Sequence, residues 1–313
     1  MTRAAFYCVA DDRYFLGAVG MINSLRVLGH TEPVFVLDCG LTAEQRRLLS
    51  PHATLVDAPG EAPPWLLKTV APLRHPAEVM VLIDVDIIVT RSLDELIARA
   101  AEPRVVAIEN DTQRFVAEWG ELLGLDEVRR QPYVSSGLVL LGQPVGTEVL
   151  SQIDALADRV DPALTVRHGG DPSYPLHYPE QDILNAVLAS RVDADRTVTL
   201  SPHLAPYPPF PGVRLVDKRT LRCAYRDGTQ PFALHHFGTK PWLEPARDGP
   251  YSRLLRRLLT GPDVPIPIGE GQLPTRLRSG FRAWLGRKRV DAGETLHWHI
   301  REPLAAKLRG KRG

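Results

Sequence analysis

Cysteine is scarce in this chain. Three cysteines in 313 residues (Cys8, Cys39 and Cys223), far apart and odd in number, argue against a disulfide framework or a zinc site. Long apolar runs are missing too, and those present are far too short to span a bilayer. No leader-like segment precedes the first strand-like run, because Met1-Thr2-Arg3 leads directly into Ala4–Ala10. The expectation is therefore a reducing, cytoplasmic location. Internal repeats are absent. Net charge is small as well, at +1, but unevenly spread. Residues 271–313 carry 11 Lys and Arg against 3 Asp and Glu, leaving 27 against 34 for residues 1–270. The acidic main body argues against a nucleic-acid partner, and the basic charge belongs to the tail.

What is present is a globular composition, 44% hydrophobic and 24% charged, with chain enough for one large α/β domain or two smaller ones. The N-terminal half alternates strand-like and helix-like segments. Ala4–Ala10 reads as a strand, 15–28 as an amphipathic helix and 33–37 as a second strand. Thr42-Ala43-Glu44-Gln45 has capping-box spacing and opens a helix to about Leu49. Residues 65–74 read as helical with Pro72 disturbing the end, and Ser92-Leu93-Asp94-Glu95 repeats the capping box for a helix through Ala100. Further strands are expected up to Asp84, over 104–108 and over 134–141. This rhythm predicts a mainly parallel α/β sheet with helices on both faces. Residues 161–179 lack periodicity and read as a binding loop or lid, followed by a helix over 180–191. Residues 201–212 hold five prolines and predict an extended surface segment. A last strand falls in 231–237. The expected organisation is a catalytic domain over 1–260 and a basic, helical extension over 261–313.

The most informative stretch is 79–89, an apolar run interrupted by Asp84-Val85-Asp86. The run reads as a buried strand, and carboxylates at its end are costly unless a cation compensates. An Asp-x-Asp pair suits a hard divalent ion while leaving coordination positions for phosphate oxygens. A neutral imidazole from another strand end would make the set tolerant of Mn²⁺. Asp11, Asp84, Asp86 and His235 all fall at strand ends, where open α/β sheets bind ligands. A haloacid-dehalogenase-type phosphatase also uses Asp-x-Asp, but Pro175 stands where its second downstream acid is needed after Gly170-Asp171.

Several motifs keep company with this pair. Ala10-Asp11-Asp12-Arg13-Tyr14, Leu37-Asp38-Cys39-Gly40-Leu41, Leu82-Ile83-Asp84-Val85-Asp86, Ser136-Gly137-Leu138, Glu180-Gln181-Asp182-Ile183-Leu184-Asn185 and Gly238-Thr239-Lys240-Pro241-Trp242 occur in that order. Over roughly residues 4–245 the chain resembles the family-8 glycosyltransferases, the group of glycogenin and the bacterial lipooligosaccharide galactosyl- and glucosyltransferases. The resemblance implies a GT-A fold, a UDP-sugar donor, Mn²⁺ (with Mg²⁺ as the alternative) and retention of anomeric configuration.

Carried over by position, the resemblance implies that Ala10, Asp11, Arg13 and Tyr14 meet the uridine, Asp11 accepting from the base and Tyr14 stacking on it. Arg13 stands where the family usually has Asn. The alternative reading is that Asp11 and Asp12 merely cap the following helix. Lys68 replaces the family's usual Arg facing the donor, a point charge instead of a fork. Asp84 and Asp86 would hold the metal, with Val85 along the ribose. Ser135 and Ser136 would lie on the donor sugar, Ser135 in place of Asn, and Gly137 would allow close approach. Glu180 and Asp182 would bind sugar hydroxyls, and Gln181 would face the anomeric carbon as a stabiliser of an oxocarbenium-like ion. His235 or His236 would complete the metal set, and only one of them can, because consecutive strand residues point to opposite faces. Gly238 and Lys240 would contact the diphosphate, although the run from His235 to Lys240 is one residue shorter than the family pattern.

The tail interleaves Arg276, Arg278, Arg282, Arg287, Lys288 and Arg289 with Leu277, Phe281, Trp284 and Leu285, a pattern that suits a peripheral helix on an anionic membrane face. The combined expectation is a retaining transferase moving glucose or galactose from UDP-glucose or UDP-galactose to a saccharide, lipid-linked or small-molecule acceptor. The alternatives are a metal-dependent nucleotide-sugar or phosphate-ester hydrolase, and a nucleotide-sugar-binding protein without transfer activity.

Overall fold

The computed structural model describes residues 3–60, 62–244 and 248–296. Eleven strands are described: β1 Ala4–Ala10, β2 Val34–Asp38, β3 Thr54–Asp57, β4 Val79–Ile83, β5 Ile87–Val89, β6 Val105–Glu109, β7 Val134–Gly142, β8 Thr197–Leu200, β9 Arg214–Asp217, β10 Arg222–Ala224 and β11 Ala233–His235. The helices are α1 Phe15–Val27, α2 Ala43–Leu49, α3 Val70–Arg74, α4 Asp94–Ala100, α5 Trp119–Leu123, α6 Val145–Leu156, α7 Pro179–Arg191, α8 Pro250–Thr260 and α9 Phe281–Leu296.

Seven strands form one sheet in the order β3-β2-β1-β4-β7-β6-β8. The pairs β3–β2, β2–β1, β1–β4 and β6–β8 are parallel. Strand β7 runs antiparallel to both its neighbours, so its first residues lie at the same sheet edge as the last residues of β4. The mainly parallel α/β architecture expected from the sequence is the one formed. Period-two alternation divides β1 between two cores. Phe6, Cys8 and Ala10 pack with α1 and α8 on one face, while Ala5 and Tyr7 pack with α6 and α7 on the other.

Local chemistry fixes several element ends. Thr42 forms the full capping box, its hydroxyl accepting from the Gln45 N–H while the Gln45 side chain accepts from the Thr42 N–H. The box expected at Ser92 does not form: α4 opens after Leu93, and Ser92 Oγ accepts from the Asp94 N–H. The helix expected over 65–74 is split into a 3₁₀ turn, Pro64–Leu66, and α3. Pro72 sits in the first turn of α3, where its missing N–H is harmless. The proline-rich 201–212 segment is not confined to the surface. It drives Ala205 and Phe210 into the core, with Phe210 stacked on Tyr251 at 6.1 Å, because aromatic burial outweighs the extended backbone's preference for solvent.

Chain beyond 260 is tied into the same core. Asn23 donates to the Leu258 and Ile266 carbonyls at 2.7 and 2.9 Å and accepts from the Ile266 N–H. Ile266, Ile268, Leu273 and Leu277 are buried, and Arg276 holds the Pro241 and Trp242 carbonyls. Helix α9 follows, with Phe281 and Trp284 exposed. Residues 297–313, which carry the second half of the basic pattern, lie outside the described residues. No described helix is long and apolar enough to cross a membrane.

Candidate active site

The Asp84-Val85-Asp86 segment is the turn between β4 and β5. Asp84 donates its N–H to the Gly137 carbonyl at 2.8 Å, and Ile87 donates back to the Asp84 carbonyl at 3.0 Å. Strand β5 then pairs antiparallel with β11, placing His235 opposite Ile87. The two acids and the histidine thus come from segments about 150 residues apart, joined by three-residue strands. His235 Nε2 lies 3.1 Å from Asp86 Oδ1 and 3.9 Å from Asp84 Oδ2.

The other histidine faces the opposite way. His236 packs its ring against Tyr251 at 4.7 Å and Phe210 at 5.7 Å, and burial followed by the Lys240 charge pushes its pKa down to about 4. Of the two histidines, only His235 joins the acids. Glycine makes this possible: a Cβ at Gly137 would lie 2.4 Å from His235 Cε1. The close approach expected at Gly137 is therefore that of an imidazole.

Each acid of the site has its own basic partner. Lys68 Nζ is 2.6 Å from Asp84 Oδ1, Lys240 is paired with Asp86 and also donates to the His236 carbonyl at 2.9 Å, and Arg167 Nη2 is 3.0 Å from Glu180. Burial alone would raise the Asp86 carboxyl, but His235 and Lys240 prevail and hold it well below the usual carboxylate range. Asp84 is raised, by lost solvation first, with Lys68 opposing and the like charge of Asp86 reinforcing.

Around this centre, Asp11 Oδ1 accepts from the Tyr14 N–H at 2.9 Å, so it shapes the turn into α1. The Arg13 carbonyl accepts from Trp242 Nε1 at 2.8 Å, while its side chain is exposed. The Trp242 ring meets Tyr14 edge-on, and Lys240 Nζ lies 6.0 Å from the Tyr14 centroid. Val85 is buried, and its carbonyl would sit 2.6 Å from a Cβ at Gly17, so α1 presses directly on the acidic turn. Ala10 ends β1 beside Cys39, and Gly238 adopts φ +82, a conformation that favours glycine.

On the far side, Gln181 Oε1 accepts from the Ser136 N–H at 3.2 Å, and Ser135 Oγ from the Gly137 N–H at 3.2 Å. Asn185 clamps α7 to β7 by both accepting from and donating to Val134 at 2.8 Å. Asp182 departs from expectation. Its side chain is fully buried, and its oxygens accept from Tyr133 Oη at 2.6 Å, Arg114 Nε at 3.1 Å and the Tyr178 N–H at 2.8 Å. These contacts anchor the start of α7. Burial lifts the Asp182 pKa to about 6 against these donors.

Sequence reasoning passed over three residues. Arg167 sits in the aperiodic loop, 5.8 Å over the Trp65 ring. Tyr207, between prolines, lies 5.1 Å from the His235 ring, and an aromatic in so proline-rich a run was the available signal. Arg114 carried no local signal at all, because its partner is 68 residues away.

Two groups of three potential ligands occur among the described residues: Asp84, Asp86 and His235, and His30, Glu32 and Asp94. In the second, His30 Nε2 already accepts from the Leu93 N–H at 3.0 Å while Nδ1 faces Glu32 at 3.2 Å, which accounts for it as a structural bridge. In the first, Asp86 Oδ1 is buried with no well-directed hydrogen bond. Two carboxylates, one of them with an unpartnered buried oxygen, and an imidazole fit a hard divalent cation.

Comparison with solved structures agrees with this architecture. The chain is similar to the galactosyltransferase LgtC in complex with donor and acceptor sugar analogs (17% identical, TM-score 0.52, covering 83% of this chain and 98% of that one). It is also similar to an active-site mutant of LgtC (16%, 0.53, 83% and 98%) and to the bifunctional glycosyltransferase WbbM (15%, 0.52, 84% of this chain and 50% of that one). The fold is therefore that of the GT-A glycosyltransferases. No family model and no curated protein matches the chain.

Proposed function

We propose that the protein is a retaining glycosyltransferase that moves a hexose of glucose or galactose configuration from its UDP derivative to a saccharide, lipid-linked or small-molecule acceptor. The observation that carries the reading is the convergence of Asp84, Asp86 and His235 with two lysines at one sheet edge of this fold. Asp84, Asp86 and His235 would hold Mn²⁺ or Mg²⁺, which when bound supplies positive charge beside a leaving diphosphate. Lys68 and Lys240 bring two more cations to the same place, and Gly238 lets the backbone approach it. Asp11, Arg13 and Tyr14 form the uridine side. Gln181, its amide oxygen fixed by Ser136, offers a dipole to an oxocarbenium-like centre, while Glu180 and Ser135 border the sugar.

Isothermal titration of the full chain with UDP in the presence of Mn²⁺ tests this, followed by a UDP-sugar hydrolysis screen. Saturable, Mn²⁺-dependent UDP binding is expected; its absence refutes the reading. The tail supports a peripheral contact with anionic membrane. Phe281 and Trp284 stack at 5.6 Å and are 73% and 44% exposed, beside exposed Lys288 and Arg289.

A further inference from the structure

Behind Lys68, Ser136 and Glu180 lies a narrow pocket that the chemistry above does not use. It runs between the sheet and helices α6 and α7, and Leu82, Leu150, Ile153, Ala157 and Ile183 are among its walls. Its free volume is about 30 Å³, and almost none of its wall is polar. A water inside would lack the two to four polar partners it needs. An apolar group of methyl size would gain burial there without breaking any hydrogen bond.

Lys68, Thr69, Ser136 and Glu180 are the polar residues of the lining, and entry past Lys68, Ser136 and Glu180, taken as the rim, decides what that group is attached to. Lys68 and Glu180 are residues of the donor side of the site, and the Ser136 backbone is bonded to Gln181. A group entering the pocket through this rim is carried by the transferred sugar. It needs a polar link at the rim and a methyl beyond it, which is the make-up of an acetamido substituent. We propose that the pocket receives the methyl of an N-acetyl group, so that the donor is a UDP-N-acetylhexosamine in preference to the unsubstituted UDP-hexose. The inference rests on the nucleotide-sugar reading of the site and narrows it.

The test is isothermal titration of the full chain, with Mn²⁺ present, against UDP, UDP-glucose, UDP-galactose, UDP-N-acetylglucosamine and UDP-N-acetylgalactosamine. A buried methyl is worth on the order of tenfold in affinity, so at least one acetamido donor should bind about tenfold more tightly than its hexose counterpart. Ala157→Leu, which fills the pocket from the end of α6, should erase that advantage and leave UDP and UDP-hexose binding unchanged. Ile153→Phe serves as a second filling variant should Ala157→Leu not fold. Equal affinity for substituted and unsubstituted donors overturns the inference while leaving the nucleotide-sugar reading standing. So does an acetamido advantage that survives the filling variants. Failure of UDP itself to bind refutes the nucleotide-sugar reading, and this inference with it.

Discussion

Replacing Gly137 by alanine displaces the histidine of the site without substituting any proposed ligand. The new Cβ would meet His235 Cε1 at 2.4 Å and Nδ1 at 2.8 Å, where about 3.4 Å is ordinary contact, so the ring must retreat by roughly 1 Å. Ligand distances at metal centres tolerate about 0.2 Å. The imidazole, 3.1 Å from Asp86 in the wild type, therefore leaves the set. Losing the support that orients a ligand costs about 10- to 100-fold in metal affinity, and the same loss is expected here for Mn²⁺. The assay is Mn²⁺ titration followed by electron paramagnetic resonance, with thermal unfolding as the control. In a strand without a clash, Gly→Ala would stabilise by about 0.5–1 kcal/mol. Unchanged Mn²⁺ affinity together with a raised melting temperature would refute the packing argument.

Asp86→Ala should abolish metal-dependent turnover and also destabilise the fold by about 3–5 kcal/mol, because it strands the buried Lys240 ammonium. Adding Lys240→Met should recover stability but not turnover, and urea denaturation separates the two effects. Asp182 titrates near 6 when folded and near 3.8 when unfolded. Between those values the native state keeps a proton that the unfolded chain has lost, so this group's contribution to stability is present in acid and fades as pH rises through 6. The difference in unfolding free energy between wild type and Asp182→Asn should shift by up to about 3 kcal/mol in favour of wild type as pH falls from 7 to 4; a difference that does not vary with pH would contradict it. Phe281→Ser combined with Trp284→Ser should weaken co-sedimentation with anionic vesicles several-fold and leave UDP binding unchanged. Equal sedimentation would reject the membrane contact.

Much of the fold was legible because its signals are local. The apolar runs of β1 and β4 and the Thr42 capping box each state their structure within a few residues. Shorter elements carried no such signal. Strand β5, three residues long, is too short to show a period and exists because it pairs with β11, which falls within the strand expected over 231–237. Helix α6 was missed although it has a buried stripe of Val145, Val149 and Leu150, since it follows β7 with no capping residue to announce it.

The sequence alone determined which residue types collect at the strand ends. Asp84 and Asp86 after an apolar strand, and a histidine pair before Gly238, are readable because burial and charge conflict there and something must compensate. Only the tertiary structure decided what each one does. The β5–β11 pairing turned His235 toward the acids and His236 into an aromatic nest. The Arg114, Tyr133 and Tyr178 contacts made Asp182 an anchor for the start of α7. The physical reason is the same in each case. A side chain's role is set by neighbours tens to hundreds of residues away, and no local period or spacing encodes those.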